Sequence, residues 1–314
     1  MFLSIASIAF IAVLVLLLTA VSGFIFVKRK MVSEDCIPGF SKVMMYLCQP
    51  CLAIYTFKSA SFSQDKLASL GIFALLAIAI HALMLLLAWA VLRKNFKNAI
   101  YRIITLATAC ANCAFFGIPI IEALMGERAQ ELIIYTTVYA VVLNVVCWTI
   151  GCAVISGDTK YISLKKIFLN PAMIGGVLAF IIYVFSVPIQ EDFLNMITIA
   201  GKMCSPLSMI IMGMRLATVD MKKMFSDVRV YITAAVKGFI MPLVAFLLVY
   251  FLPISSDMKV AFFIICSCPV ASVVLNFSEM LGEGQREAAS IVLFSTMFSI
   301  VTIPVMMLML PLIA

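Results

Sequence analysis

The sequence ANCAFFGIPI, at residues 111–120, interrupts an apolar segment that is long enough to cross a membrane. Pro119 has no N–H to donate, so a carbonyl near Phe115 loses its partner in the helix. Hydrocarbon offers that carbonyl no other donor. The stretch therefore predicts a broken helix that faces protein or a water-filled cavity, and transporters bind substrate at such breaks. The alternative is an ordinary proline kink, since glycine and proline are common in membrane helices.

The composition is that of a polytopic membrane protein. Of the 314 residues, 65% are hydrophobic and only 12% are charged, which leaves too little polar surface for a soluble domain of this length. The net charge of +7 does not indicate a nucleic-acid partner, because the basic residues fall in short clusters between apolar runs. Such clusters are typical of the cytoplasmic loops of membrane proteins.

Apolar runs of about 20 residues predict ten membrane-spanning helices with short connections. Helices 1 to 10 cover approximately residues 3–27, 37–57, 67–92, 103–126, 130–155, 166–187, 193–218, 228–252, 258–282 and 286–312. Most of the 22 lysines and arginines follow odd-numbered helices, which predicts that these loops are cytoplasmic and that both termini lie outside. The first run lacks a basic region before it, which favours a spanning helix over a signal peptide.

The two halves of the chain contain a weak internal repeat. Identical residues recur at one spacing, close to half the chain: Pro50 and Pro206, Cys110 and Cys266, Gly126 and Gly282, and Glu127 and Glu283. Five helices per half is an odd number, so the second half must enter the membrane from the opposite face. This predicts an inverted repeat, with residues 1–157 as the first unit and 158–314 as the second.

The repeat predicts a second break in helix 9. The sequence CSCPVAS, at residues 266–272, contains Pro269, and Asn276 follows it. Interrupted helices at corresponding positions of two halves indicate a transport site. Asn112 and Asn276 can each donate and accept hydrogen bonds, which suits a carboxylate or the oxygen shell of an ion. A helix cap is the alternative role for Asn276.

Ionisable residues inside the predicted helices need a reason, since a charge at the bilayer centre costs on the order of 3 kcal/mol. Lys202 and Lys237 have no acidic residue at comparable depth, and unpaired cations around a cavity suit an anion. His81, Lys237 and Glu122 are candidates for a proton or charge role. Packing is the alternative for His81, and snorkelling or a structural hydrogen bond is the alternative for Lys237. Arg215 is expected to extend from the end of helix 7 to the interface.

Two CxxC pairs, Cys48 with Cys51 and Cys110 with Cys113, raise the question of a metal or redox site. The chain has one histidine and no second pair in a loop, so apolar packing is the preferred interpretation, and we expect no metal and no cofactor. An intramembrane enzyme is disfavoured too, because the chain contains no HExxH or GxSxG motif and no paired aspartates.

Three motifs occur in an order that is known from one family. Residues 112–119, NCAFFGIP, match the pattern NTGFxGxP except that Cys113 and Ala114 replace Thr-Gly. Residues 206–217, PLSMIIMGMRLA, match PLxxxxxGxxLA, and residues 290–304 are similar to an ending ASxxVxxSTxxSxxTIP. Together these motifs resemble the auxin efflux carrier family over nearly the whole chain. The short connection between helices 5 and 6 is typical of a compact, bacterial-type member.

This resemblance implies ten helices in a 5+5 inverted repeat, with the broken helices 4 and 9 crossing at their breaks. It implies an elevator-type movement of helices 3–5 and 8–10, as the transport domain, against a scaffold of helices 1, 2, 6 and 7. It also implies a homodimer in the plasma membrane. In plant members an asparagine at the helix-4 break holds the substrate carboxylate, and Asn112 matches that position; auxin itself is not the expected substrate here.

The sequence thus predicts a secondary transporter or facilitator of small mono- or dicarboxylates, with proton coupling left open. The candidate substrate site joins residues of both breaks and one lysine that would supply positive charge: Asn112, Gly117, Pro119, Lys202, Pro269, Ser272 and Asn276. The alternative is a sodium-coupled organic anion symporter of the bile-acid type, which the near absence of carboxylates at the midplane disfavours.

Overall fold

The computed structural model describes residues 2–58, 63–158, 160, 165 and 169–313. These residues are mostly helical, and they form no β-strand beyond one isolated bridge. Six of the described helical segments are long and apolar enough to cross a membrane: Ser4–Lys28, Gln64–Asn95, Cys113–Ser156, Glu191–Thr218, Val228–Tyr250 and Gln285–Leu312. The chain therefore has the all-helical architecture of a polytopic membrane protein.

Helical residues lie in each of the ten predicted ranges, so the predicted numbering of the helices is kept. Helices 1, 3, 6 and 10 are Phe2–Lys28, Gln64–Leu92, Pro171–Val184 and Gln285–Met307. Helix 7 consists of Glu191–Lys202 and Cys204–Thr218. The predicted start of helix 6 at residue 166 lies outside the described residues.

Helices 2, 5 and 8 each contain one π-helical turn. Their α-helical parts are Ile37–Val43 and Gln49–Lys58, Ala129–Val146 and Cys152–Ser156, and Val228–Ala235 and Met241–Tyr250. The π turns between these parts are Met44–Cys48, Cys147–Gly151 and Val236–Ile240. Turns of this kind occur frequently at functional sites.

Helices 4 and 9 are each divided. Helix 4a is Ala99–Ala109 and helix 4b is Ile118–Met125, preceded by a π turn at Cys113–Gly117. Helix 9a is Ser256–Ser267 and helix 9b is Val273–Leu281. Because only six described segments are long and apolar enough to span a membrane unaided, the count of ten spans and the 5+5 repeat stay predictions.

Short polar side chains fix where several helices begin. A backbone N–H in the first turn of helices 3, 4a, 6, 8 and 9a donates a hydrogen bond to the side-chain oxygen of Ser63, Asn98, Asn170, Asp227 and Ser255, respectively. A cap of this kind stabilises a helix by about 1 kcal/mol. The starts of these five helices are therefore encoded locally.

Polar contacts gather the loops into two groups. Arg102 donates to the carbonyls of Ile155 at 2.9 Å and Phe96 at 3.1 Å, and to Glu283 Oε2 at 3.0 Å. The loops after helices 3 and 9 therefore meet at the end of helix 5. We call the surroundings of Arg102 the basic end. Elsewhere, Lys66 pairs with Glu131 at 3.0 Å, between the starts of helices 3 and 5. This grouping follows the charge pattern, while the side of the membrane that the basic end faces stays a prediction.

Helices 1 and 7 approach each other closely because glycines face the contact. A Cβ atom at Gly213 would lie 1.7 Å from the carbonyl oxygen of Ala20, and one at Gly23 would lie 2.0 Å from that of Ile210. Small residues allow such approach between membrane helices. Gly175 of helix 6 has the same role, since its Cβ would lie 2.5 Å from the backbone of Pro50 in helix 2. The helices that the resemblance assigns to a scaffold therefore include two tightly packed pairs.

Candidate functional site

The breaks in helices 4 and 9 lie against each other. Ala111 and Val270 form an isolated antiparallel bridge. The N–H of Asn112 donates to the carbonyl of Pro269 at 2.9 Å, and the N–H of Ala271 donates to the carbonyl of Cys110 at 3.0 Å. Unwound backbone must find partners at membrane depth. Each break supplies them for the other, so the two divided helices meet at a fixed point.

The break in helix 4 differs from the predicted one. The unwound residues are 110–112, and Pro119 is the second residue of helix 4b, where a proline is tolerated. As predicted, Pro119 has no N–H to donate to the carbonyl of Phe115. The carbonyl of Phe115 accepts a hydrogen bond from Ser205 Oγ of helix 7 at 2.8 Å. Pro119 therefore leaves the Phe115 carbonyl available to Ser205 of helix 7. It does not itself break helix 4.

The break in helix 9 lies at Pro269, as predicted. The residue before a proline prefers extended backbone, and Cys268 has a φ of −66° and a ψ of 152°. The side chain of Lys237, which is fully buried, reaches this break from helix 8. Its Nζ atom donates to the carbonyls of Cys266 at 3.0 Å and Cys268 at 2.5 Å. An ammonium group suits the negative end of the helix-9a dipole, so the structure favours the structural role for Lys237.

His81 is fully buried against Tyr139, with 4.9 Å between the ring centroids. Its Nδ1 atom lies 2.6 Å from the carbonyl of Ala77, so the proton is assigned to Nδ1. The Nε2 atom then has no hydrogen-bond partner among the described residues. Packing against Tyr139 and the hydrogen bond to Ala77 therefore account for the ring and for one of its two nitrogens.

A cavity of 480 Å³, the main cavity, opens beside the crossing. Its polar lining comes from five amides and two hydroxyls: Gln49, Asn112, Asn144, Asn170, Asn276, Ser272 and Tyr46. Its apolar lining includes Met44, Phe115, Trp148 and Phe277. This mixture of a large apolar wall and a few polar groups is typical of a site for a small amphipathic molecule.

Asn112 has a buried side-chain donor that faces the main cavity and lacks a protein partner among the described residues. Its side chain lines the main cavity while the residue is only 4% exposed, and its amide nitrogen has no partner among the described residues. A buried donor without a partner costs about 1–3 kcal/mol. A ligand oxygen in the main cavity would remove that cost.

The structure brings together only part of the predicted site. Asn112, Ser272 and Asn276 line the main cavity, whereas Gly117 and Pro269 do not. A Cβ atom at Gly117 would meet Cys268 Sγ at 3.5 Å, so this position contributes backbone packing between the two breaks.

Pro119, Lys202 and Glu122 line a different cavity of 300 Å³, between helices 1, 2, 4b and 7. The Nζ atom of Lys202 lies 5.4 Å from the ring centroid of Tyr55. The sequence-based view of Lys202 as a cation without an acidic neighbour is therefore wrong, because Glu122 shares its cavity. Lys202 and the Asn112 amide therefore line different cavities.

Two features of the site were missed in the sequence. Asn170 Nδ2 donates to Asn144 Oδ1 at 3.3 Å on the wall of the main cavity. Asn170 before Pro171 has the pattern of a helix start, so the sequence did not indicate that Asn170 also lines the main cavity. The second feature is an ion pair, in which the Arg215 guanidinium donates to both carboxylate oxygens of Glu279. The extension of Arg215 to the interface stays a prediction.

No group of three or more histidine, cysteine or acidic side chains that could hold a metal ion occurs among the described residues. The Cys110 and Cys147 sulfur atoms lie 3.8 Å apart within the core. In a comparison with known protein families, a family model described as "Membrane transport protein" matches residues 8–307. A search of curated proteins found no match.

Proposed function

Because the chain belongs to the auxin efflux carrier family of membrane transport proteins, we propose that it carries small organic anions across a bilayer. Asn112 carries this proposal. Its amide faces the main cavity, is nearly inaccessible, and has no partner for its nitrogen among the described residues. A carboxylate oxygen accepts hydrogen bonds only, so it is the complement of that donor.

The main cavity would hold an anion without a cation in direct contact. Its described lining residues are all uncharged, and Lys202 lies in another cavity. Residues 111–115 and 271–273, at the starts of the two second half-helices, line the main cavity. The N-terminal end of a helix carries partial positive charge and free N–H groups, which favours an anion there.

The mechanism that we propose is an elevator-type exchange of access. Helices 3–5 and 8–10 would move with the crossing, and helices 1, 2, 6 and 7 would stay in place. The bond of Ser205 to Phe115 and the 2.6 Å contact between the hydroxyls of Thr56 and Thr137 join these two groups, so each cycle would break them. The proposal includes a homodimer in the plasma membrane with both termini outside, and His81 as the acceptor of any coupled proton.

The sodium-coupled symporter of the bile-acid type gains no support from the family match. One physical argument also disfavours it. Transporters with broken helices coordinate sodium through unwound backbone carbonyls. At the helix-9 break, two such carbonyls already accept hydrogen bonds from Lys237.

Uptake by proteoliposomes tests the proposed function. The purified protein would be supplied with labelled mono- and dicarboxylates, with choline replacing sodium in a parallel series. We expect uptake of at least one carboxylate, no requirement for sodium, and a loss of about tenfold or more for Asn112→Ala, in line with one hydrogen bond to a charged group. Asn195→Ala, an exposed amide in helix 7, is the matched control. Uptake by Asn112→Ala at the control rate would refute the assigned site.

A further inference from the structure

A third cavity, the Arg215 cavity, adjoins the main cavity and has a volume of 210 Å³. The two cavities share the lining residues Met44, Met45, Ser272 and Asn276. The Arg215 cavity also touches Glu279, four residues before the Glu283 that contacts Arg102 at the basic end. It therefore lies between the main cavity and the basic end of the protein.

Arg215 is the only basic side chain among the described residues that line these two cavities. An anion that moves between the main cavity and the basic end would leave water and meet mostly apolar walls, which is costly without a compensating charge. A guanidinium group presents a planar set of donors that matches a carboxylate. Arg215 is thus placed where an anionic substrate needs a cation.

The guanidinium is already paired with a carboxylate of the protein. Arg215 Nη2 lies 3.3 Å from Glu279 Oε2, and Nη1 donates to Oε1. The Glu279 side chain is 40% exposed, against 18% for Arg215. Partly exposed ion pairs contribute little net stability. Exchanging one carboxylate for another on the same guanidinium would therefore cost little.

We propose that Arg215 binds the carboxylate of the transported anion as the anion passes between the basic end and the main cavity, and that Glu279 is the internal carboxylate that the anion displaces. The inference rests on the proposed function and adds the group that selects for negative charge. The competing explanation is a latch, since the pair also joins helix 7 to helix 9b. The two explanations differ in one respect: a latch is broken equally by neutralising either partner, whereas a competitor and a binding group have opposite effects.

Ligand-induced thermal stabilisation of the purified protein distinguishes them, since a ligand stabilises the state that it binds. Benzoate, lactate, malonate and succinate would be titrated, with benzamide as the uncharged control. Glu279→Gln should tighten the binding of the best carboxylate by roughly tenfold and Arg215→Gln should weaken it by roughly tenfold, as expected for hydrogen bonds to charged groups. The double variant should bind as weakly as Arg215→Gln, and Glu131→Gln, which breaks an ion pair outside both cavities, should bind normally.

Arg215→Lys guards against a folding defect, because it keeps the charge but loses the planar fork, and its affinity should fall between wild type and Arg215→Gln. Shifts of Glu279→Gln and Arg215→Gln in the same direction would overturn the inference and favour the latch. If both variants shift in the same direction and Asn112→Ala also binds the carboxylate more weakly, only the role of Arg215 is refuted and the proposed function is retained. Binding of no carboxylate by the wild type would overturn both.

Discussion

Replacing Ser205 with alanine should destabilise the protein through a carbonyl on another helix. The Ser205 hydroxyl donates to the Phe115 carbonyl at 2.8 Å, and Phe115 is only 6% exposed. Pro119, four residues later, cannot donate to that carbonyl. Ser205→Ala therefore leaves a buried acceptor without a donor, which costs about 1–3 kcal/mol.

The proline makes this prediction specific. In a Pro119→Ala background, the new N–H of residue 119 can donate to the Phe115 carbonyl as in a regular helix. Ser205→Ala should then cost less than about 0.5 kcal/mol, since the carbonyl keeps a partner. A double-mutant cycle removes the separate effect of the proline itself, and the expected coupling energy is about 1–2 kcal/mol.

The four proteins can be compared by reversible unfolding in mixed micelles with increasing amounts of SDS. Ser208→Ala, on the same helix but facing the Arg215 cavity, is the control and should cost the same with or without Pro119. An equal cost of Ser205→Ala in both backgrounds would refute the explanation that the hydroxyl replaces the N–H that proline lacks.

Three further predictions use the same unfolding assay. Gly213→Ala should cost at least about 1–3 kcal/mol, because a Cβ atom there would overlap the backbone of helix 1, whereas Gly39→Ala, with nothing within 4 Å, should be tolerated. Arg102→Gln should cost about 2–4 kcal/mol, because it removes a guanidinium that joins two loops and the end of helix 5 through a side chain that is 11% exposed; stability equal to wild type would contradict this. Arg229 holds the pKa of the Asp227 carboxyl below its ordinary value through a side-chain hydrogen bond. This ion pair therefore stabilises the protein at pH values above about 3.9, and the stabilisation is lost as the pH falls through the lowered pKa. The loss of stability at low pH should be a fraction of a kcal/mol, because the pair is partly exposed. Asp227→Asn keeps the helix cap and should abolish this loss. An unchanged dependence of stability on acid pH in the variant would exclude the pair as the cause.

The two breaks show how far local sequence determines this fold. Pro269 restricts the residue before it, so the break in helix 9 could be predicted from a dipeptide. The break in helix 4 depends on contacts with a segment far along the chain. Residues 110–112 contain no proline or glycine, and their unwound backbone is held by hydrogen bonds from and to residues 269–271. A proline nearby indicated the correct region but the wrong residues.

The charges of the site show a second limit. Helix 7 carries Lys202 near its middle and Arg215 near its C-terminal end. The sequence assigned Lys202 to the substrate site. In the structure Lys202 lines one cavity with Glu122, while Arg215 lines another with Glu279. Depth along a helix can be read from sequence, but the direction in which each side chain faces depends on the neighbouring helices.

The contact of Lys237 with the helix-9 break has a consequence for biosynthesis. Helix 8 leaves the ribosome before helix 9, and its lysine then has none of the carbonyls that hold it in the folded protein. A lone lysine at the centre of a helix opposes insertion into lipid by about 3 kcal/mol. Helix 8 is therefore expected to wait at the translocon until helix 9 is synthesised, so that the two helices partition into the bilayer as one hairpin.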